Sequence, residues 1–179
     1  MEFAPARLMP GAATHLKEEI VRNKQKGFSL IELLIVVAII LIIAAIAIPN
    51  LLRSKMAANE ASAVGSMRTV NTASVTYSTT YGGYPATLAA LGPIAAGGTA
   101  SSGLADLVDS VLASGIKSGY TFVYTAGTAD AAGNVLNYTL TAAPTSPGTT
   151  GQRYFFTDQS GVIRANAAAA ATASSTPIS

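Results

Sequence analysis

From Phe28 to Ile48 the chain has 21 residues, and only Ser29 and Glu32 among them are not apolar. Coiled as a helix at ~1.5 Å per residue, the run is roughly 32 Å long, about the thickness of a bilayer's hydrocarbon core. The one carboxylate inside it is costly there, about 2.5–3.5 kcal/mol on insertion scales. A spanning helix that carries such a charge usually has a use for it. Before the run, Arg22, Lys24 and Lys26 crowd the membrane edge. By the positive-inside rule they keep this end cytoplasmic and put the far end outside.

The hexapeptide Gly27-Phe28-Ser29-Leu30-Ile31-Glu32, with basic residues before it and the apolar run after it, resembles the processing site of type IV prepilins and pseudopilins. The close resemblance extends from about Lys24 to Tyr84 and takes in Pro49 and the amphipathic continuation; beyond that the likeness is loose. It implies that a prepilin peptidase cuts between Gly27 and Phe28, that the new amine of Phe28 is N-methylated, and that Glu32 pairs with the amino terminus of a neighbouring subunit during assembly. Residues 1–27 are then a basic leader. It is long for the family, as a start placed too far upstream would make it. A secretory signal cut after Ala45-Ile46-Ala47 is a rival reading, but the apolar run exceeds the usual ~7–15 residues and Glu32 interrupts it. A plain single-span anchor explains the length, but neither Glu32 nor the Gly27-Phe28 junction.

Charge and composition narrow the rest. The net charge of +2 lies wholly in the leader, where five basic residues face three acidic ones; from Phe28 onward six face six. A neutral mature chain argues against nucleic acid as a partner. Only 11% of residues are charged, against about 25% in ordinary soluble domains. There is no cysteine, so neither a disulfide nor a thiol nucleophile is available. Many pilins staple a carboxy-terminal loop with a disulfide, and this chain departs from that pattern. Its head must hold by packing, by a metal, or by neighbours in a filament.

Pro49 removes one helical N–H and crowds the preceding turn, so it kinks or ends a helix. Helix signals resume at once from Leu51. Apolar residues recur at Leu52, Met56, Val64, Met67, Val70 and Val75, while Arg53, Lys55, Glu60 and Arg68 supply a wet face. The reading is one kinked helix from about Phe28 to Tyr81, stopped by Tyr81-Gly82-Gly83-Tyr84-Pro85. Thr87–Pro93 reads as a short helical turn and Gly97–Gly103 as a loop. That loop lacks the Gly-Lys-Ser/Thr of a phosphate cradle. Residues 104–113 read as an amphipathic helix capped by Gly115. Strands are expected at 120–125, 135–141, 153–157 and 162–164, with hairpin loops at Asp130–Asn134 and Asp158–Gly161 and a longer connection from Pro144 to Gly151.

The expected fold is therefore α+β: a long kinked amino-terminal helix, apolar in its first half, packed against a small antiparallel β-sheet head of three or four strands. Its parts are the leader 1–27, the helix 28–81 with a membrane span at 28–48, the head 82–166 and a flexible tail 167–179.

Catalytic chemistry finds little footing. The one histidine, His15, lies in the leader, so a Ser-His or Cys-His site in the mature chain is excluded. Asp106 and Asp109, one helical turn apart, are expected to form a solvated face. No cofactor is expected. The one alternative is calcium, since the resemblance to pseudopilins draws attention to Asp130 and Asp158, but the six to eight oxygens calcium wants cannot be gathered from the sequence. Asn137-Tyr138-Thr139 fits the bare glycosylation sequon, and Tyr77, Tyr81 and Tyr84 read as packing at the neck of the helix.

The resemblance thus implies a structural subunit, not an enzyme, that polymerises into a type IV pilus for adhesion, motility or surface attachment. Its partners would be other copies of itself, the peptidase that also methylates, an inner-membrane assembly platform with its ATPase, and the bilayer before assembly. It would be held in the inner membrane first and lie in an extracellular filament afterwards. A type II secretion pseudopilin in a periplasmic pseudopilus, and a single-span anchored periplasmic binding domain, are the alternatives.

Overall fold

The computed structural model describes residues 27–178; residues 1–26, with His15 and the cations of the leader, lie outside the described residues. The chain divides into two compact units, Met1–Leu41 and Ile42–Ser179. Helix α1, Leu30–Tyr81, begins in the first unit and ends in the second.

In the first unit, the helix is bare. Leu33, Leu34 and Ile40 are among its exposed apolar side chains, and no residue of the most apolar window of α1 is buried. Straight-chain Leu and β-branched Ile and Val alternate with Ala and without Gly or Pro until Pro49, so helix is the natural conformation. Pro49 lies inside α1 without ending it.

In the second unit, α1 buries one stripe: Ala63, Val64, Met67, Val70, Ala73, Ser74 and Tyr77. The steps of three and four are those of a single helix face. Val75, expected in this stripe from its apolarity, lies outside it: it is 51% exposed, and the small hydroxyl residue Ser74 takes the inward position instead. The outward side is rich in hydroxyls that bond back to the helix. Thr69, Thr72, Thr76 and Thr80 each donate to the carbonyl four residues before them. These internal bonds let hydroxyl and β-branched residues sit in a helix without competing for its backbone N–H groups.

After Gly82, a 3-10 turn at Leu88–Leu91 is capped by the Thr87 side chain and stopped at Gly92. The amphipathic helix expected over 104–113 is much shorter. Only Ser110–Ala113 is helical (α2), with Asp109 as its cap accepting from the Leu112 N–H at 2.9 Å. Residues 105–108 spend their N–H groups on the carbonyls of Ala90, Leu91 and Gly92, and Asp106 takes a positive φ of 57°. Asp106 and Asp109 therefore do not share a helical face.

A six-stranded antiparallel meander follows, in the spatial order of the chain: β1 Ile116–Lys117, β2 Tyr120–Ala126, β3 Tyr138–Pro144, β4 Tyr154–Asp158, β5 Arg164–Asn166 and β6 Thr176–Pro177. The strand count exceeds the expected three or four because of its two short edges. Ser118 and Gly119, both with positive φ, make the two-residue turn that pairs β1 with β2. At the other edge, residues 167–178 do not fray. Thr176 pairs with Ala165, the Ile178 N–H reaches the Ile163 carbonyl, and Ala171 is buried. The expected strand at 135–141 begins only at Tyr138, because Val135 is drawn into isolated bridges with Tyr84 and Ala129.

Tyr120, Phe122, Tyr138, Leu140, Ala142 and Phe155 close the core from the sheet side over the stripe of α1, and Leu91, Val108 and Leu112 fill its flank. Truncating a fully buried residue here leaves a cavity as well as losing transfer energy. Met67→Ala is expected to cost about 2–5 kcal/mol of unfolding free energy, whereas Val75→Ala should stay within about 0.5 kcal/mol. Denaturant unfolding followed by near-ultraviolet circular dichroism checks both, and equal losses would contradict the assignment of the buried face.

Candidate functional site

The amino-terminal turn holds the residues that the sequence singles out. Gly27, Phe28 and Ser29 precede the helix in non-helical backbone. Phe28 is 88% exposed, and no atom stands within 4 Å of where a Cβ on Gly27 would be. Ser29 caps the helix, and its N–H donates to Glu32 Oε2 at 2.9 Å. Ser29-Leu30-Ile31-Glu32 is therefore one arm of a capping box, in which the third helical residue reaches back to the cap's own N–H. The carboxylate also stands at the positive end of the helix dipole. Sequence reasoning reserved Glu32 for a neighbouring subunit; the S-x-x-E spacing was the signal for this local partner.

A second carboxylate matters that the sequence placed on a wet face. Glu60 is only 7% exposed. Its Oε1 accepts the N–H groups of Gln152 at 2.9 Å and Arg153 at 3.2 Å, and its Oε2 accepts Arg153 Nε at 2.7 Å. One residue earlier, Asn59 Nδ2 donates to the Thr150 carbonyl at 2.8 Å. Adjacent side chains of α1 so grip both the backbone and a guanidinium of the 145–153 connection. Arg153 in turn lies 5.4 Å from the centre of the Phe155 ring, and its carbonyl accepts the Tyr120 hydroxyl. Burial pushes the Glu60 carboxyl up, but the Gln152 N–H and the Arg153 guanidinium and N–H outweigh it. The group sits below the usual carboxylate range.

Farther along α1, Asn71 makes a similar join. Its Nδ2 donates to Thr157 Oγ1 and the Gly161 carbonyl, and its Oδ1 accepts the Tyr138 hydroxyl at 3.0 Å. The tyrosines of the neck are joined by two more from the sheet. Tyr77 and Tyr81 lie 4.6 Å apart, Tyr84 meets Tyr138 edge-on at 4.9 Å, and Tyr124 stacks on Tyr138 at 5.1 Å. Burial pushes the Tyr138 hydroxyl up to about 12.

Asp109, Asp130 and Asp158 serve caps and turns. Asp109 caps α2 and pairs with Lys117 at 2.8 Å, which holds it below the usual range. Asp130 and Asp158 each fold their own turn, accepting from Ala132 and Asn134 and from Ser160 respectively. Among the described residues, no three His, Asp or Glu side chains converge. Asn137 is exposed just ahead of β3, and Tyr138 is buried behind it.

Residues 22–48 match the prokaryotic N-terminal methylation motif. Over 35 residues the chain is 66% identical to the type IV wide pilus major component PilA4 of Thermus thermophilus, a match that covers 20% of this chain and 27% of that protein. The likeness thus spans about a quarter of the relative's length. No solved structure matches the chain.

The Glu60 contacts give stability a pH dependence of known sign. A carboxyl whose pKa is lowered on folding stabilises the fold above its unfolded value of about 4.3, and that contribution is lost as pH falls through its lower folded value. Unfolding free energy should therefore drop as pH is lowered through and below that range, and the drop should be smaller in Glu60→Gln. At neutral pH, Glu60→Ala should cost about 1–3 kcal/mol, since it strands two backbone donors. Superimposable pH–stability curves for the parent and Glu60→Gln would contradict this.

Proposed function

We propose, from the methylation-motif match at residues 22–48 and the 35-residue likeness to a type IV pilus component, that this chain is a structural subunit of the type IV pilin and pseudopilin family that is cleaved, N-methylated and polymerised into a type IV pilus. A prepilin peptidase cuts between Gly27 and Phe28 and methylates the new amine of Phe28. The subunit waits in the inner membrane with its amino terminus cytoplasmic. An assembly platform and its ATPase then draw it into a filament, whose core is made of the apolar half-helices and whose surface is made of the heads. Pro49, which lies inside α1, would bend the helix between these two halves.

One observation carries this reading. The first turns of α1 expose apolar side chains on every side, with a single carboxylate, Glu32, in the opening turn. Such a surface needs either lipid or copies of itself. Cleavage frees an amine on Phe28 with an ordinary pKa of about 8. At ~4 Å that cation offers Glu32 of the next copy about 4 kcal/mol at an effective dielectric near ~20, enough to offset the cost of burial. Stackings that leave Glu32 without the amine bury an uncompensated charge, so one axial offset is preferred. A head-to-tail contact of this kind repeats without closing and grows as an open helix. The pilus role of the Thermus relative, by its name, agrees with this reading.

Glu32→Ala is expected to insert and be cleaved but to yield few filaments. Glu32→Gln, which keeps an acceptor for the Ser29 N–H but loses the charge, should be equally deficient. Mass spectrometry of the amino terminus and electron microscopy of sheared cell-surface material read the two steps separately. Filaments at parental yield from Glu32→Ala would overturn the pairing, and a mature terminus at Met1 or Ile48 would overturn the processing. Loss of exoprotein secretion on deletion, with no surface filaments to lose, would favour the pseudopilus.

A further inference from the structure

Between Glu32 and Arg53 the chain has twenty residues, Leu33 to Leu52, and none is charged. As helix that is roughly 30 Å, the thickness of a hydrocarbon core. Arg53 and Lys55 are the first charges beyond it, and both are exposed. Positive charge on the outer side of a span runs against the usual bias. Neither cation is answered by the protein: among the described residues the ion pairs are Lys117–Asp109 and Arg153–Glu60, so the carboxylate next along the helix, Glu60, is already engaged.

Resting on the membrane-stored subunit proposed above, we propose that Arg53 and Lys55 bind the phosphates of anionic lipid headgroups on the outer face of the membrane, and so anchor the subunit before assembly. Two further observations favour lipid over a protein partner. Residues two apart stand ~200° apart around a helix, so Arg53 and Lys55 point to opposite sides. A flat partner face would be met by residues three or four apart. A headgroup layer surrounds the helix and meets both. The part of the head that touches α1 just beyond Lys55 is also free of carboxylates. It is built from Ser118, which accepts from Ser62, and from the 145–152 connection, which holds no charged residue. Asp130 and Asp158 lie with the turns that meet α1 near Gly82 and Asn71, well along the helix from Lys55. Asp109, which comes near Ser118 through Lys117, is answered by that lysine at 2.8 Å, so an anionic surface at the level of residues 53–55 would find cations and neutral hydroxyls, and no unpaired like charge.

The test uses the full chain, unassembled, in mixed phosphatidylcholine–phosphatidylglycerol vesicles. The chain has no tryptophan, so Leu51→Trp, at a position 71% exposed, supplies a single reporter next to the cations. Its fluorescence is quenched in turn by brominated phosphatidylglycerol and by brominated phosphatidylcholine at equal mole fraction. A cation near the surface is worth about fivefold in local anionic-lipid preference, so the phosphatidylglycerol should be enriched around the reporter by that order. The enrichment should vanish in Arg53→Gln/Lys55→Gln and fall in molar salt. Equal quenching by the two lipids, or a preference that survives in Arg53→Gln/Lys55→Gln, overturns the proposal. So does a double variant with unchanged lipid preference that no longer forms filaments, which would assign the cations to a neighbour's carboxylates. The measurement needs no filament, so it stands apart from the Glu32 pairing; water-like emission from a reporter that never enters lipid would bring down the membrane reading together with this one.

Discussion

The apolar first half of α1, which no other described residue covers, is the constraint on which this molecule turns. The exposed side chains of residues 30–48 cannot remain in water, and α1 has no second face to hide them. Covering such a surface is worth about 25 cal/mol for each Å² removed from water, so either lipid or like helices must occupy it. The two environments differ in what they do with Glu32. A bilayer offers the carboxylate a nearby interface. A bundle of identical helices offers nothing polar except what the helices themselves bring. A single acid in the first turn is therefore tolerated in one setting and selective in the other, and that contrast makes a reversible passage between them chemically reasonable.

The head answers a different problem. It has no cysteine, and its long 145–153 connection needs fastening. Glu60 and Asn59 do this from the helix, gripping backbone groups that a loop of this length would otherwise leave to solvent. Asn71 repeats the device one strand over. These contacts are polar and directional where Met67, Leu140 and Phe155 are neither. Burial supplies the larger energy, while the hydrogen bonds fix how the sheet sits on the helix. A carboxylate held by two amides and a guanidinium is satisfied on both oxygens, which is the condition for burying it without a net penalty.

Much of this was legible in the chain. The long helix, its stop at Gly82, the Asp130 and Asp158 turns and the aromatic strands follow from local pattern, and local pattern is what sequence carries. The misreadings share one cause, which is that a distant partner decided the outcome. Glu60 reads as surface because its partners lie about ninety residues away. Residues 104–109 have a helical apolar pattern, but their N–H groups are claimed by the 3-10 turn before them. Ser74 faces inward over apolar Val75 because helix phase puts position 74 on the side of Met67, Val70 and Tyr77, which the sheet covers. The carboxy-terminal segment, Ala-rich and then Ser/Thr-rich, reads as a tail until β5 gives its last residues an edge to pair with. Glu32 is a different case: the S-x-x-E spacing of its capping box is local and present in the sequence, alongside any intermolecular role.

For the assembly proposed above, that capping bond limits what a second copy could add. In the isolated subunit, Glu32 already has a donor in the Ser29 N–H, so a second copy does not rescue an orphaned acceptor. The new contact must instead answer the charge, which one neutral N–H does not neutralise. Hydrogen-bond satisfaction is thus nearly the same before and after assembly, and the difference between the right axial offset and a wrong one rests on Coulomb attraction in a poorly screened core. Such attraction falls off gently with distance, whereas the capping bond is lost within about half an ångström. The local bond holds the carboxylate in place at the head of the helix, and in the proposed filament the longer-ranged interaction with a freed amine would select where the next helix comes to rest beside it.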